Sequence, residues 1–160
     1  MATLPTILVV DDEVRSQETL RRTLEEEFEV LTATSGEQAL AVLEREPVQV
    51  ILCDQRMPGE KGTDLLARVR KERPGIIRVL TTAYSDLDSA IEGVNSGAIY
   101  KYIVKPWDVR DLRGVLLRAM DFFIVQRQRD ALLHEKLSVL QRMMVSDRVR
   151  SLAVLAAGLS

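Results

Sequence analysis

The chain has 160 residues, a formal net charge of −2, 46% hydrophobic residues and a single cysteine. That length accommodates one ordinary domain with an appendage, and the small net charge argues against nucleic acid as the main partner. One cysteine excludes a disulfide framework and suggests a reducing compartment. The start, Met1-Ala2-Thr3-Leu4-Pro5, lacks the pattern of a signal peptide, and no apolar run approaches bilayer length, so a cytoplasmic protein with no membrane partner is expected.

The elements alternate along the chain. Thr6–Val10 reads as a buried strand that ends in Asp11-Asp12-Glu13. Val14–Phe28 carries apolar residues at helical spacing, and Glu29–Ala33 reads as a second strand. Ser35 followed by Gln38 has the form of a capping box and opens a helix with Ala39, Leu40, Val42 and Leu43 inward; Pro47 stops it. Val50–Asp54 is an apolar run that ends in a carboxylate, and Pro58-Gly59 turns the chain away. Helix over Thr63–Arg73, strand over Ile76–Thr82 and helix over Asp86–Ser96 follow, with Gly97 as the C-terminal cap. Ile99–Val104 has the mixed alternation of an edge strand.

Such alternation predicts a doubly wound, five-stranded parallel α/β sheet with right-handed crossovers. Its strand C-termini would share one rim, where open α/β sheets bind ligands. That rim would gather Asp11, Asp12, Asp54, Thr82 and Lys105. Taken alone, Asp54 fits the cap of the following helix as well as it fits chemistry. Three carboxylates together repel one another, and a hard divalent cation such as Mg²⁺ resolves that repulsion. A cation, an ammonium group and a hydroxyl in one pocket suit a phosphoryl group, with Asp54 as nucleophile.

At these residues the chain resembles a response-regulator receiver domain of two-component signalling. The motifs are Val9-Val10-Asp11-Asp12-Glu13, Cys53-Asp54-Gln55-Arg56-Met57-Pro58-Gly59, Thr82-Ala83, Gly97-Ala98 and Tyr102-Ile103-Val104-Lys105-Pro106. The resemblance implies a flavodoxin-like fold with strand order 2-1-3-4-5 over residues 1–125. It implies Asp54 as the phosphoacceptor, charged from a histidine kinase or phosphotransfer protein, with the domain catalysing its own phosphorylation and dephosphorylation. It further implies Mg²⁺ held by Asp11, Asp12, Asp54 and the backbone carbonyl of Arg56. Thr82 and Lys105 would bind phosphoryl oxygens, Thr82 and Tyr102 would form the switch, and Lys105-Pro106 would be cis. Arg56 and Tyr84 occupy positions that tune phosphoryl lifetime, and their bulk implies slow hydrolysis. Strand alternation turns Cys53 into the core. His134 precedes Glu135 without an Arg-Asn-Pro continuation and reads as a solvated helix position.

Trp107-Asp108 opens the last helix, whose inward face is Leu112, Val115, Leu116, Ala119, Met120 and Phe123. Beyond residue 125, Leu133, Leu137, Leu140 and Met144 step as a heptad seam, and Arg148, Leu152, Leu155 and Leu159 shift phase as at a stutter. Residues 126–160 are therefore expected to form a signalling helix that pairs two copies as a coiled coil. Ser151–Ser160 resembles the segment just before the phosphorylated histidine of a sensor kinase. The expectation is a receiver governing an attached histidine kinase, cut within its dimerisation domain. The alternative is a stand-alone dimeric regulator whose helix binds a partner protein.

Overall fold

Apolar runs alternate with amphipathic stretches to give β1 (Thr6–Val10), α1 (Val14–Leu24), β2 (Glu29–Ala33), α2 (Gly36–Arg45), β3 (Val50–Asp54), α3 (Gly62–Glu72), β4 (Ile77–Ala83), α4 (Leu87–Ser96), β5 (Lys101–Lys105) and α5 (Val109–Leu159). A 3₁₀ turn, Tyr84–Asp86, joins β4 to α4. The computed structural model describes residues 3–159, with side chains over residues 3–149. The side chains of residues 150–160, including those of the stutter positions Leu152, Leu155 and Leu159, lie outside the described residues. The chain divides into two units, Met1–Ile124 and Val125–Ser160.

All strand pairs are parallel, in the order β2-β1-β3-β4-β5. This is the doubly wound arrangement that the alternation predicts, in the flavodoxin-like order that the resemblance implies. Strand periodicity then sorts the core into two layers. Leu8, Val10, Ile51, Cys53 and Leu80 face α2, α3 and α4, against Ala39, Leu43, Leu65, Leu66, Val69 and Ala90. Ile7, Val9, Leu52, Val79 and Ile103 face α1 and α5, against Leu20, Leu24, Leu112, Leu116 and Ala119. Tyr100 stacks on Phe122 of α5, ring centroids 5.0 Å apart.

Several ends differ from the expected ones, each for a local reason. α1 stops at Leu24 rather than Phe28. Glu25, Glu26 and Glu27 would place negative charge at the negative end of the helix dipole, and Phe28 turns back to bond Leu24 O. Ser35 Oγ accepts from Gln38 N, but Gln38 Oε1 returns to Thr34 N and Thr34 Oγ, one residue earlier than a capping box places it. β5 starts at Lys101: the Ile99 amide is committed to Gly93 O outside the sheet, and Tyr100 N makes the first bond to β4, at Arg78 O. α5 begins at Val109, with Asp108 Oδ1 accepting from Arg110 N. Gly97 has φ +83° and ends α4 in the left-handed region, which glycine adopts without strain.

The C-terminal end of α4 is held by two guanidinium groups. Arg70 donates to Ser96 O, and Arg78 donates to Ala98 O and Gly97 O as well as to Pro74 O and Ile76 O. Cations suit the negative end of a helix. Burial, then Arg70, lowers the Arg78 pKa, although guanidinium stays charged throughout the physiological range.

Among the described residues, no helix is long and apolar enough to cross a membrane. Leu66 is fully buried between α3 and the sheet. Leu66→Ala is expected to cost about 2–5 kcal/mol, read from the shift in urea midpoint at unchanged slope.

Candidate functional site

The site is built from strand ends. β1 finishes at Val10, so Asp11 and Asp12 follow at its exit; Asp54 is the last residue of β3; Lys105 is the last of β5. The register sets Asp54 opposite Thr81, Thr82 opposite Val104 and Ala83 opposite Lys105. A carboxylate oxygen from each of Asp11, Asp12 and Asp54 lies within 4.8 Å of the others. Lys105 Nζ reaches Asp54 Oδ1 at 3.0 Å, with the Asp54 side chain 11% exposed. Asp11 is buried, whereas Asp12 is exposed.

Burial is the main cause that raises the Asp11 pKa above its ordinary value. The Glu13 amide, donating to Asp11 Oδ1 at 2.9 Å, opposes it; repulsion from Asp54 adds to it, attraction by Lys105 opposes it and repulsion from Asp12 adds again. The donor set suits a hard, oxygen-seeking cation: three carboxylates, one of them open to water. Asp11, Asp12 and Asp54 are the residues that could hold Mg²⁺.

The remaining predicted residues take distinct places. Thr82 is fully buried, and its hydroxyl donates to Ala83 O at 3.3 Å. Tyr102 is half-buried against the α2–α3–α4 layer of the core. Arg56 lies two residues beyond Asp54, and its side chain turns aside: Nε donates to Asp86 at 2.7 Å and Nη2 to Ser85 Oγ at 3.2 Å. Tyr84 is 79% exposed. The bulk of these two side chains is therefore directed along the β4–α4 loop and into solvent. Lys105-Pro106 is cis. Cys53 is fully buried and donates to Asp54 O, and burial pushes its thiol pKa up, so it packs as an inert group. His134 is exposed on α5.

Two buried amides support the site and were not singled out from the sequence. Gln17 Nε2 donates to Asp11 O at 2.7 Å and to Ala33 O at 2.8 Å, tying the ends of β1 and β2 together. Gln55 accepts from Thr63 N at 2.8 Å, and its carbonyl accepts from Gly62 N at 3.0 Å, so the loop leaving Asp54 is closed at its base. Gly62 belongs to the same closure. A Cβ there would stand 2.4 Å from Asp54 O, so only glycine allows the helix start to approach the acid's backbone. A legible signal existed for Gln17: it shares the inward stripe with Leu20 and Leu24, where a polar residue must find buried partners.

The sequence pattern described as "Response regulator receiver domain" matches residues 7–117. The chain belongs to the response regulator receiver domain family. Among its relatives is the hydrogenase transcriptional regulatory protein HoxA of Cupriavidus necator, 57% identical over 102 residues, which are 64% of this chain and 21% of that protein. Another is the alginate biosynthesis transcriptional regulatory protein AlgB of Pseudomonas aeruginosa, 39% identical over 108 residues, 67% of this chain and 24% of that protein. The receiver thus spans about a quarter of the length of these curated relatives. A solved response regulator receiver domain protein from Clostridium thermocellum superposes with a TM-score of 0.72 at 31% identity, covering 77% of this chain and 99% of that one.

The raised Asp11 pKa has a definite sign in stability. An acid whose folded pKa exceeds its unfolded one contributes stability that is present below the unfolded value and lost as pH rises through the folded value. Ionising Asp11 in the metal-free fold therefore costs stability. Asp11→Asn keeps an acceptor for the Glu13 amide and removes that charge. In chelator-treated protein it should melt at a higher temperature than wild type at pH 7, with the gap narrowing toward pH 4. Added Mg²⁺ should raise the wild-type melting temperature and leave the variant's unmoved.

Proposed function

We propose that this receiver takes a phosphoryl group onto Asp54 from a phosphohistidine of a kinase or phosphotransfer protein. The observation that carries the reading is Lys105 Nζ, 3.0 Å from Asp54 and set against a cluster of three carboxylates. An Asp54 oxygen attacks phosphorus, the bond from phosphorus to the donor breaks, and the donor group leaves with the electron pair. Asp11, Asp12, Asp54 and the Arg56 carbonyl would hold Mg²⁺, which would supply positive charge for the phosphoryl oxygens. Lys105 turns from Asp54 to a phosphoryl oxygen as the carboxylate charge is consumed, remaining an ammonium group throughout. The Thr82 hydroxyl, bonded only weakly to Ala83 O, swings to another oxygen. Tyr102 then follows into the space that Thr82 leaves.

The output runs through α5 to a second copy of the chain. Leu133, Leu137, Leu140 and Met144 recur at heptad spacing and are 48%, 58%, 54% and 58% exposed in the single chain. Apolar residues left in water at that spacing support a dimeric seam. The sequence of Ser151–Ser160 supports an attached histidine kinase as the regulated partner. The relatives are named as transcriptional regulatory proteins, which favours a second reading in which the same receiver governs transcription. Phosphotransfer from ATP to a histidine in the protein as encoded by its organism supports the first; ATP-independent phosphorylation coupled to promoter retention supports the second.

Incubation with Mg²⁺ and acetyl phosphate should add the mass of one phosphoryl group to wild type and none to Asp54→Ala, with chelator abolishing the gain; equal labelling of both proteins overturns the reading. In sedimentation equilibrium, the wild-type chain should be a dimer and Leu137→Asp/Leu140→Asp a monomer that keeps the receiver's thermal transition.

A further inference from the structure

Lys105 has two neighbours of opposite kind. One is the Asp54 carboxylate at 3.0 Å; the other is the face of Trp107, whose ring centroid lies 5.8 Å from Nζ. Trp107 is the one tryptophan of the chain. It is half-buried and packs on the core layer between the sheet and α5, so its ring is held by the fold. The Lys105 side chain is 32% exposed and has a flexible four-carbon stem. An ammonium group at that exposure has other low-energy places in water. The negative face of an indole within about 6 Å attracts a cation and narrows those choices.

We infer that Trp107 is a positioning residue for phosphoryl transfer: its ring holds the Lys105 ammonium at the rim, poised for the phosphoryl oxygens. This rests on the reading of Asp54 and Lys105 given above. The indole does not touch the reacting atoms. It acts through Lys105, whose ammonium lies 5.8 Å from the ring centroid and 3.0 Å from the Asp54 carboxylate. Trp107 lies between β5 and α5, so the ammonium is referenced to the start of α5 as well as to the sheet.

The test is a double-mutant cycle on the 160-residue chain, with acetyl phosphate and Mg²⁺ and rates read from intact mass. Trp107→Leu should slow phosphorylation about two- to five-fold, and Trp107→Phe, which keeps an aromatic face, should recover most of that loss. The Mg²⁺ concentration for half-maximal rate should not move, since Lys105 is not a metal ligand. In a Lys105→Ala background the same Trp107→Leu change should have no further effect, because there is no ammonium to hold. A Trp107→Leu rate equal to wild type, or an equal slowing in both backgrounds, overturns the inference. If Trp107→Leu fails to fold, a Trp107→Met cycle, which also removes the ring face, decides by the same non-additivity. A separate arm needs no phosphodonor: Lys105→Met should change the emission spectrum of the sole tryptophan, and an unchanged spectrum overturns the inference. If wild type takes no phosphoryl group while the emission still responds to Lys105→Met, the reading of Asp54 has failed and the Lys105–Trp107 contact stands.

Discussion

The structure depends on bringing like charges together and then compensating them. Asp11, Asp12 and Asp54 converge within 4.8 Å at the end of a parallel sheet, and among the described residues Lys105 alone faces them at ion-pair distance. Nothing in the core favours that convergence. It is imposed by hydrophobic burial of β1, β3, β4 and β5, whose shared direction delivers every strand exit to the same edge. The raised Asp11 pKa is the local cost of this arrangement. A hard cation would meet a place where the fold has already assembled opposite charge.

Around this concentration of charge the backbone is fastened by neutral groups. The Gln17 amide joins the exits of β1 and β2, and Gln55 closes the loop that leaves β3. Both are buried, each holds backbone partners (Gln17 through Nε2, Gln55 through Oε1), and neither adds charge to an already crowded edge. An unpaired backbone carbonyl at this depth would cost about 1–3 kcal/mol. The amides therefore keep the acid-bearing turns in one conformation without altering their electrostatics.

The architecture and the charged residues were legible in the sequence because each acid or base terminates an apolar run: Asp11 after Thr6–Val10, Asp54 after Val50–Cys53, Lys105 after Ile103-Val104. Periodicity alone placed these at strand ends, and parallel topology gathered them. What stayed hidden depends on contacts between distant segments. The two carbonyls met by Gln17 come from different strands, and the Trp107 ring faces Lys105 only because the chain bends between them. The early end of α1 turned on three consecutive glutamates at the wrong pole of a helix, a signal that apolar spacing through Phe28 overrode. The heptad step of Leu133, Leu137, Leu140 and Met144 is visible in sequence, while its exposure is visible only in the structure.

The two ends of α4 are held very differently. At the far end, Gly97 closes the helix and Arg70 and Arg78 grip the carbonyls of Ser96, Gly97 and Ala98. At the near end no side chain caps the helix, and Asp86, which stands at that position, is drawn off to Arg56 through an exposed ion pair of small worth. A helix tethered at one tip and loosely latched at the other has a pivot. A rearrangement of the segment carrying Thr82 would meet the fewest side-chain ties at the near tip, with the arginine pair as the fixed point of the helix.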